Sequence, residues 1–332
     1  MPPAVTAPPA RRPSRPAAPP ESRRSAAGRG QSALALAVLV LVVALWVGDA
    51  VGAALGLVGS LSSRPPITAE VDPQTPRIDP VLQTRVAAAT SLSRGVAGAV
   101  VRSLDDGAEA EVDADRPFPA ASLFKLPILV ETLRQQREGR LTPDTLLEVT
   151  PDAWADGAGV LQARLGDKLP VRELLRLMVR DSDNIAALVL LDAVDVDQVN
   201  ATMAQMGLTQ TRLRDHRGGD VAPHSTSARD MATLLALMAS GRLFDPETSE
   251  TALQLLELRQ ANTWLADDLP FWVRVAHKWG DLPEARHDAG IVFTPRGSYV
   301  SVVLTQGGAP DETRRAIAAV SRAGFDRVVT GR

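Results

Sequence analysis

The sequence predicts an α/β chain of the α+β kind: an antiparallel sheet flanked by helices, an all-helical subdomain beside it, and one transmembrane helix ahead of both. Three observations carry this. Segments with strand character sit at both ends of the second two-thirds of the chain, with a long helical block between them. An uncharged apolar run lies close to the N-terminus. Apolar residues make up 45% of the 332, enough for a sizeable core.

Residues 1–31 are rich in Pro, Ala, Arg and Ser and lack the apolar side chains that would offset ordering entropy. They are expected to be a disordered basic tail on the cytoplasmic side. They hold six Arg and one Glu, a surplus of five positive charges, so the rest of the chain carries −8 of a total of −3. A mildly acidic body without a basic stripe argues against nucleic acid as a partner. Residues 32–59, opening "SALALAVLVLVVALWVG", meet no charge until Asp49. A run of about 17–25 apolar residues spans a bilayer as a helix. The arginines ahead of it set a signal-anchor orientation that sends the C-terminal bulk across, or releases it if the helix is cleaved near Ala50. Residues 60–80 form a Pro-rich linker, and 81–332 the folded domain, expected to be a monomer.

Within that domain "VLQTRVAAATSLSR" has a helical pattern. "GVAGAVVRSL" and "AEAEVDA" make a hairpin through Asp105-Asp106-Gly107. A broken helical block runs from Ser122 to about Met238. "VRVAHKWG", "HDAGIVFT" and "SYVSVVLTQ" follow as strands. "PDETRRAIAAVSRAGF" closes as a helix, with Pro and acidic residues in its first turn.

Composition narrows the chemistry. The chain has no cysteine, which removes a thiol nucleophile, a thiolate zinc site and a disulfide framework. Its four histidines show no HExxH or HxxxH spacing, so neither a metal nor another cofactor is expected. There are three lysines against thirty-three arginines. Arginine cannot lose its proton near neutral pH and lysine can, so a lysine kept in such a chain points to a need for an amine.

One of the three is Lys125, in "FPAASLFKLPI". On a helix Ser122 and Lys125 share a face. A serine at a helix head feels the positive end of the dipole, and a desolvated amine beside it can take its proton. A second cluster, Ser182-Asp183-Asn184, follows an amphipathic helix and opens another. Serine and asparagine there serve as caps, or as a proton relay and an amide that orients the lysine. A third, Lys278-Trp279-Gly280, ends a strand, where glycine permits close backbone approach and lysine either guards an edge or faces a ligand. Lys168, in "GDKLPVREL", reads as an ordinary exposed residue.

The order S-x-x-K, S-D-N, K-x-G resembles the class A β-lactamases and their penicillin-binding relatives. "GVLQ", "LPVRELLRLMVRDSDN", "STSARDMATLL" and "ARHDAGIV" are similar to family segments in the same order, so the likeness covers nearly all of 81–332. It implies a β-lactamase/transpeptidase-like fold and a serine hydrolase. The substrate would be a small β-lactam or a peptidoglycan stem peptide, the latter in a D-Ala-D-Ala carboxypeptidase. A wall-binding or sensory domain keeping the fold is the non-enzymatic alternative. The resemblance assigns attack to Ser122, proton acceptance to Lys125 and proton relay to Ser182. Asn184 would orient Lys125 and substrate, and Lys278 would hold Ser182 and supply positive potential. The N–H groups of Ser122 and Asp281 would form the oxyanion hole. Trp154, Trp279, Gly280 and Arg286 would bind substrate.

Two departures stand out. Trp279 occupies the place of a hydroxyl residue that helps bind the substrate carboxylate. The glutamate that activates the deacylating water in class A enzymes falls near Arg217, and no Glu occurs between Asn184 and Glu247. Asp215 and Asp220 lie in that loop as substitutes. Acylation therefore looks intact and fast deacylation does not.

Overall fold

The computed structural model describes residues 76–153, 155, 157–215 and 223–331. The basic tail, the 32–59 segment, most of the linker, Trp154, Arg217 and Asp220 lie outside the described residues. Among the described residues no helix is long and apolar enough to cross a membrane.

Asp79 begins the ordered framework. Its Oδ1 accepts from the N–H groups of Val81 and Leu82 at 3.0 and 3.1 Å. With Pro80 in the first turn it starts helix α1, Pro80–Thr90. The hairpin follows as β2, Val96–Ser103, and β3, Ala108–Val112. Gly107 in the turn takes a φ of 68°, which a side chain would resist. The three C-terminal strands are β8, Arg274–Leu282, β9, Ala285–Thr294, and β10, Gly297–Gln306. With the short β1, Arg77–Ile78, they make a six-stranded sheet in the order β1-β3-β2-β10-β9-β8.

The expectation of a purely antiparallel sheet needs correction. β1 pairs with β3 in parallel, Arg77 opposite Ala108, while the other pairs are antiparallel, so the sheet is mixed. The physical reason is connectivity: α1 carries the chain across one face of the sheet before β2, so β1 and β3 enter the sheet running the same way. A two-residue strand between Pro76 and Pro80 is too short for a strand period to register.

One face of the sheet is covered by α1 and by α8, Pro310–Thr330. Leu82, Val86, Val101, Tyr299, Val303, Ile317 and Val320 form the core between them. The Tyr299 hydroxyl crosses this core to donate to the Ser321 carbonyl at 2.7 Å. The other face packs against the helical block: α2, Lys125–Arg137; α3, Val171–Arg180; α4, Asn184–Val194; α5, Val196–Gln205; α6, Ala228–Ala239; and α7, Pro246–Leu256. Coverage on both faces explains why β9 and β10 are buried along almost their whole length rather than alternating. Small two-stranded pieces complete the frame: β4, Phe118–Pro119, with β7, Ser225–Thr226, and β5, Leu146–Glu148, with β6, Lys168–Pro170. Lys168 is exposed, as its sequence context implied.

Asp79 also accepts from Arg327 of α8 at 2.7 Å, and that hydrogen bond holds its carboxyl below the ordinary aspartate range. A depressed folded-state value means the contribution is present above the unfolded value and is lost as pH falls through the folded one. Asp79→Ala is therefore expected to cost about 1–2 kcal/mol in urea unfolding at pH 7. The difference from the parent should shrink once pH drops below about 4. A difference that persists at low pH would assign the loss to packing instead.

Candidate active site

Strand β4 delivers the chain to the head of α2 through a tight turn, Ala121–Phe124, so Ser122 stands one turn ahead of the helix rather than inside it. Ala121 has a φ of 44° and Ser182 one of 54°, left-handed conformations that non-glycine residues adopt at a cost. His287 of β9 clamps the same turn. Its Nε2–H donates to the Pro119 carbonyl at 2.7 Å, and its Nδ1 accepts from the Thr305 N–H at 3.1 Å. Burial lowers its pKa and favours the neutral ring that both bonds require.

Lys125 is wholly buried. Its Nζ lies 3.2 Å from Ser122 Oγ, 3.0 Å from Ser182 Oγ and 2.8 Å from Asn184 Oδ1, and it also donates to the Ser182 carbonyl. The left-handed backbone at Ser182 turns its carbonyl and its hydroxyl toward one amine. Burial is the main force on Lys125 and the Lys278 charge the next, with Asp183 opposing. Together they hold the amine well below the ordinary lysine range. Asn184 Oδ1 faces Lys125, and its Nδ2 lies toward Gly157.

Asp183, read from the sequence only as the middle of its cluster, holds two segments together. Its Oδ1 accepts from Ala186 N at 2.8 Å and caps α4. Its Oδ2 accepts from Val160 N at 2.6 Å and Leu161 N at 3.1 Å, tying down the 157–163 loop. A Cβ on Gly159 would stand 2.2 Å from that carboxylate, so only glycine permits the contact. The signal was present in "GAGVL", but spacing does not say what a glycine approaches.

β8 forms the opposite wall. It is the edge strand of the sheet, so the N–H and C=O groups of alternate residues point away from β9. The His277 carbonyl is one of these, since it accepts from Gln260 outside the sheet. Four residues on in unbroken register, Asp281 presents its N–H on the same open side. A Cβ on Gly280 would come 3.0 Å from Ser122 N, which shows how closely the strand approaches the Ser122 amide. The Ser122 amide therefore lies beside the strand that carries the Asp281 N–H.

Lys278 is also wholly buried, and burial lowers its pKa to about 7 against the opposing charge of Asp288. Its Nζ donates to the Trp279 carbonyl at 2.9 Å and lies 4.9 Å from the Trp279 ring centre. The direct hold on Ser182 expected of Lys278 is therefore replaced by a bond to its own neighbour. Its effect on Lys125 is electrostatic. Trp279 packs edge-on against Trp264, at 5.8 Å between rings, and its buried Nε1 has no hydrogen-bond partner among the described residues.

Ser122, Asn184, Trp279, Asp281 and Arg286 line one cleft of about 730 Å³, with Lys125, Ser182 and Lys278 buried beside it. Arg286 reaches it paired to Asp281 at 3.2 Å. Phe124 and His224, with ring centres 4.6 Å apart and planes tilted by 34°, add a wall that the sequence reading missed. Asp215 is exposed and does not line the cleft. Among the described residues no group of His, Asp or Glu converges on a metal position.

Residues 81–328 match the family described as the Beta-lactamase enzyme family. The extended-spectrum beta-lactamase PER-1 of Pseudomonas aeruginosa is 24% identical over 269 residues, covering 74% of this chain and 86% of that protein. The D-alanyl-D-alanine carboxypeptidase DacD of Escherichia coli is 30% identical over 133 residues, 36% of this chain and 34% of that protein. Among solved structures, a mutant of PBP-A in its acyl-enzyme complex with penicillin G superposes with a TM-score of 0.70 and 30% identity, covering 76% of this chain and 99% of that one.

The charge coupling between the two lysines yields a signed expectation. Removing the Lys278 charge eases protonation of Lys125, so its pKa rises. In Lys278→Met the acidic limb of the pH dependence of Ser122 acylation should move to higher pH. A limb that stays in place, measured by single-turnover acylation, would show that the two amines are not coupled.

Proposed function

Because the chain belongs to the beta-lactamase enzyme family, we propose that it is a membrane-tethered, extracytoplasmic serine hydrolase. It acts on β-lactam or cell-wall peptide amides through an acyl-enzyme at Ser122. The observation that carries the reading is the buried amine of Lys125, with a depressed pKa, bonded to both Ser122 and Ser182. A binding domain has no need of a titratable amine between two hydroxyls.

The steps follow from the geometry. Neutral Lys125 takes the Ser122 proton as Oγ attacks the amide carbonyl. The N–H groups of Ser122 and Asp281 take up the negative charge that develops on the carbonyl oxygen. Ser182 Oγ, 3.0 Å from Lys125 Nζ, relays the proton to the leaving nitrogen as the C–N bond breaks. Asn184 keeps Lys125 aligned, and Arg286 with Lys278 supplies positive potential for a substrate carboxylate. Water must then cleave the ester. The chain offers no glutamate between Asn184 and Glu247 to activate it, and Asp215 faces solvent. We infer slow deacylation. The tether rests on the apolar run at 32–59, whose single charge is Asp49, and the arginines before it.

Intact mass after mixing with a simple penicillin tests the core of this reading. The chain should gain the ligand mass, hold it for hours and fail to gain it as Ser122→Ala. Loss of the adduct within seconds would mean efficient turnover by a base elsewhere. A folded chain that takes no adduct from penicillins or stem-peptide analogues would overturn the hydrolase reading. Trp279→Thr should raise the acylation rate about tenfold or more, the worth of one hydrogen bond to a charged group. An unchanged rate would mean that the indole does not stand where the carboxylate binds.

A further inference from the structure

We propose that the Asp281 side chain is a charge filter on the cleft: it occupies Arg286, so an acyl donor with a free carboxylate must displace it, and uncharged amides or esters are the preferred donors. This rests on reading Ser122 as the residue acylated. The acylation steps use the Asp281 N–H and leave its carboxylate without a task.

The sheet register brings the two charges together. Asp281 of β8 stands directly opposite Arg286 of β9. The Asp281 N–H points to the open side of the edge strand, so this pair exchanges no backbone bonds. Its side chains then share one face at the closer of the two antiparallel spacings. Arg286 Nε lies 3.2 Å from Asp281 Oδ1. The arginine backbone is held in place: Thr305 Oγ1 donates to the Arg286 carbonyl at 2.7 Å and accepts from its N–H at 3.3 Å. Both side chains line the cleft, Arg286 17% and Asp281 37% exposed. A pair this open to solvent adds little to folding, so its effect is to be sought in the cleft.

Among the described residues, no other arginine and no lysine lines the cleft. Lys278 is wholly buried and spends its amine on the Trp279 carbonyl. The accessible guanidinium is therefore already neutralised. A donor carboxylate gains from it only what it takes from Asp281, and it meets the Asp281 charge as it arrives. The neighbouring lining suits an uncharged donor. Trp279, two residues before Asp281 on the same face of β8, keeps its Nε1 buried and so turns an apolar surface to the cleft. Leu282 and Pro283 extend that surface.

A simple penicillin and its methyl ester differ by one charge. Intact mass of the full chain gives the second-order rate of adduct formation at Ser122 with each. Both donors build the same oxyanion, so the influence of Asp281 on that charge cancels in the ratio of acid to ester. In the parent the ratio, corrected for each donor's rate of alkaline hydrolysis, should lie below one; a ratio above one overturns the proposal. Asp281→Asn keeps the N–H and the side-chain shape, and Asp281→Ser is a second variant in case the first folds poorly. Either should raise the ratio about tenfold, the worth of one hydrogen bond to a charged group. Adding Arg286→Gln should abolish that rise. A ratio that stays put in the Asp281 variants overturns the filter while the adducts keep the hydrolase reading. A rise that survives Arg286→Gln overturns it too, since Asp281 would then repel donors without masking the arginine. A folded chain that takes no adduct from either donor or from a stem-peptide analogue loses the hydrolase reading and the filter with it.

Discussion

Everything in the site follows from one costly act, the burial of the Lys125 amine. An unpaired ammonium in an apolar interior is too expensive to keep, so the group must be given acceptors, lose its proton, or do both. The protein does both. Two hydroxyls, a carbonyl and an amide oxygen surround Nζ, and Lys278 adds a second positive field that pushes the proton off. A surface serine and lysine at the same spacing would share none of this, because solvent would keep the amine charged.

Holding that arrangement requires parts of the chain that are far apart in sequence. Ser182 lies 57 residues from Lys125 and offers both of its oxygens only because its backbone is left-handed. That strain is offset by the Asp183 carboxylate, which binds the start of α4 to the 157–163 loop. On the far wall, the edge position of β8 leaves outward N–H groups that an interior strand would have spent on a neighbour. His287 joins the two walls through Pro119, three residues before Ser122. Fold and site are thus one construction: the mixed sheet supplies an edge, the helical block supplies an amine, and the cleft is the seam between them.

The same seam shows where this chain has moved from its relatives' pattern. The indole of Trp279 covers the Lys278 amine and packs on Trp264, so the cleft wall there is larger and more apolar than a threonine would make it. Arg286 remains within the cleft as the more accessible cation. The serine and lysine cluster is kept while the wall beside it is changed, so the two parts of the cleft vary independently.

Much of the fold was legible in the linear text. The hairpin through Gly107, the three C-terminal strands and the closing helix follow from period and from turn and cap residues, which are local properties. The scarcity of lysine drew attention to Lys125 and Lys278, and both are wholly buried. What the text could not hold was distance and direction. A parallel two-residue strand, the two bonds of Asp183, the clamp of His287 and the Phe124–His224 wall depend on which segments meet after folding. Lys278 is the clearest case: sequence determined that an amine would stand on a strand, though the strand runs on past it to Leu282 rather than ending there. Only the tertiary structure decided that it would bond its neighbour's carbonyl and act on Lys125 through space, because burial and charge are properties of surroundings, not of residue type.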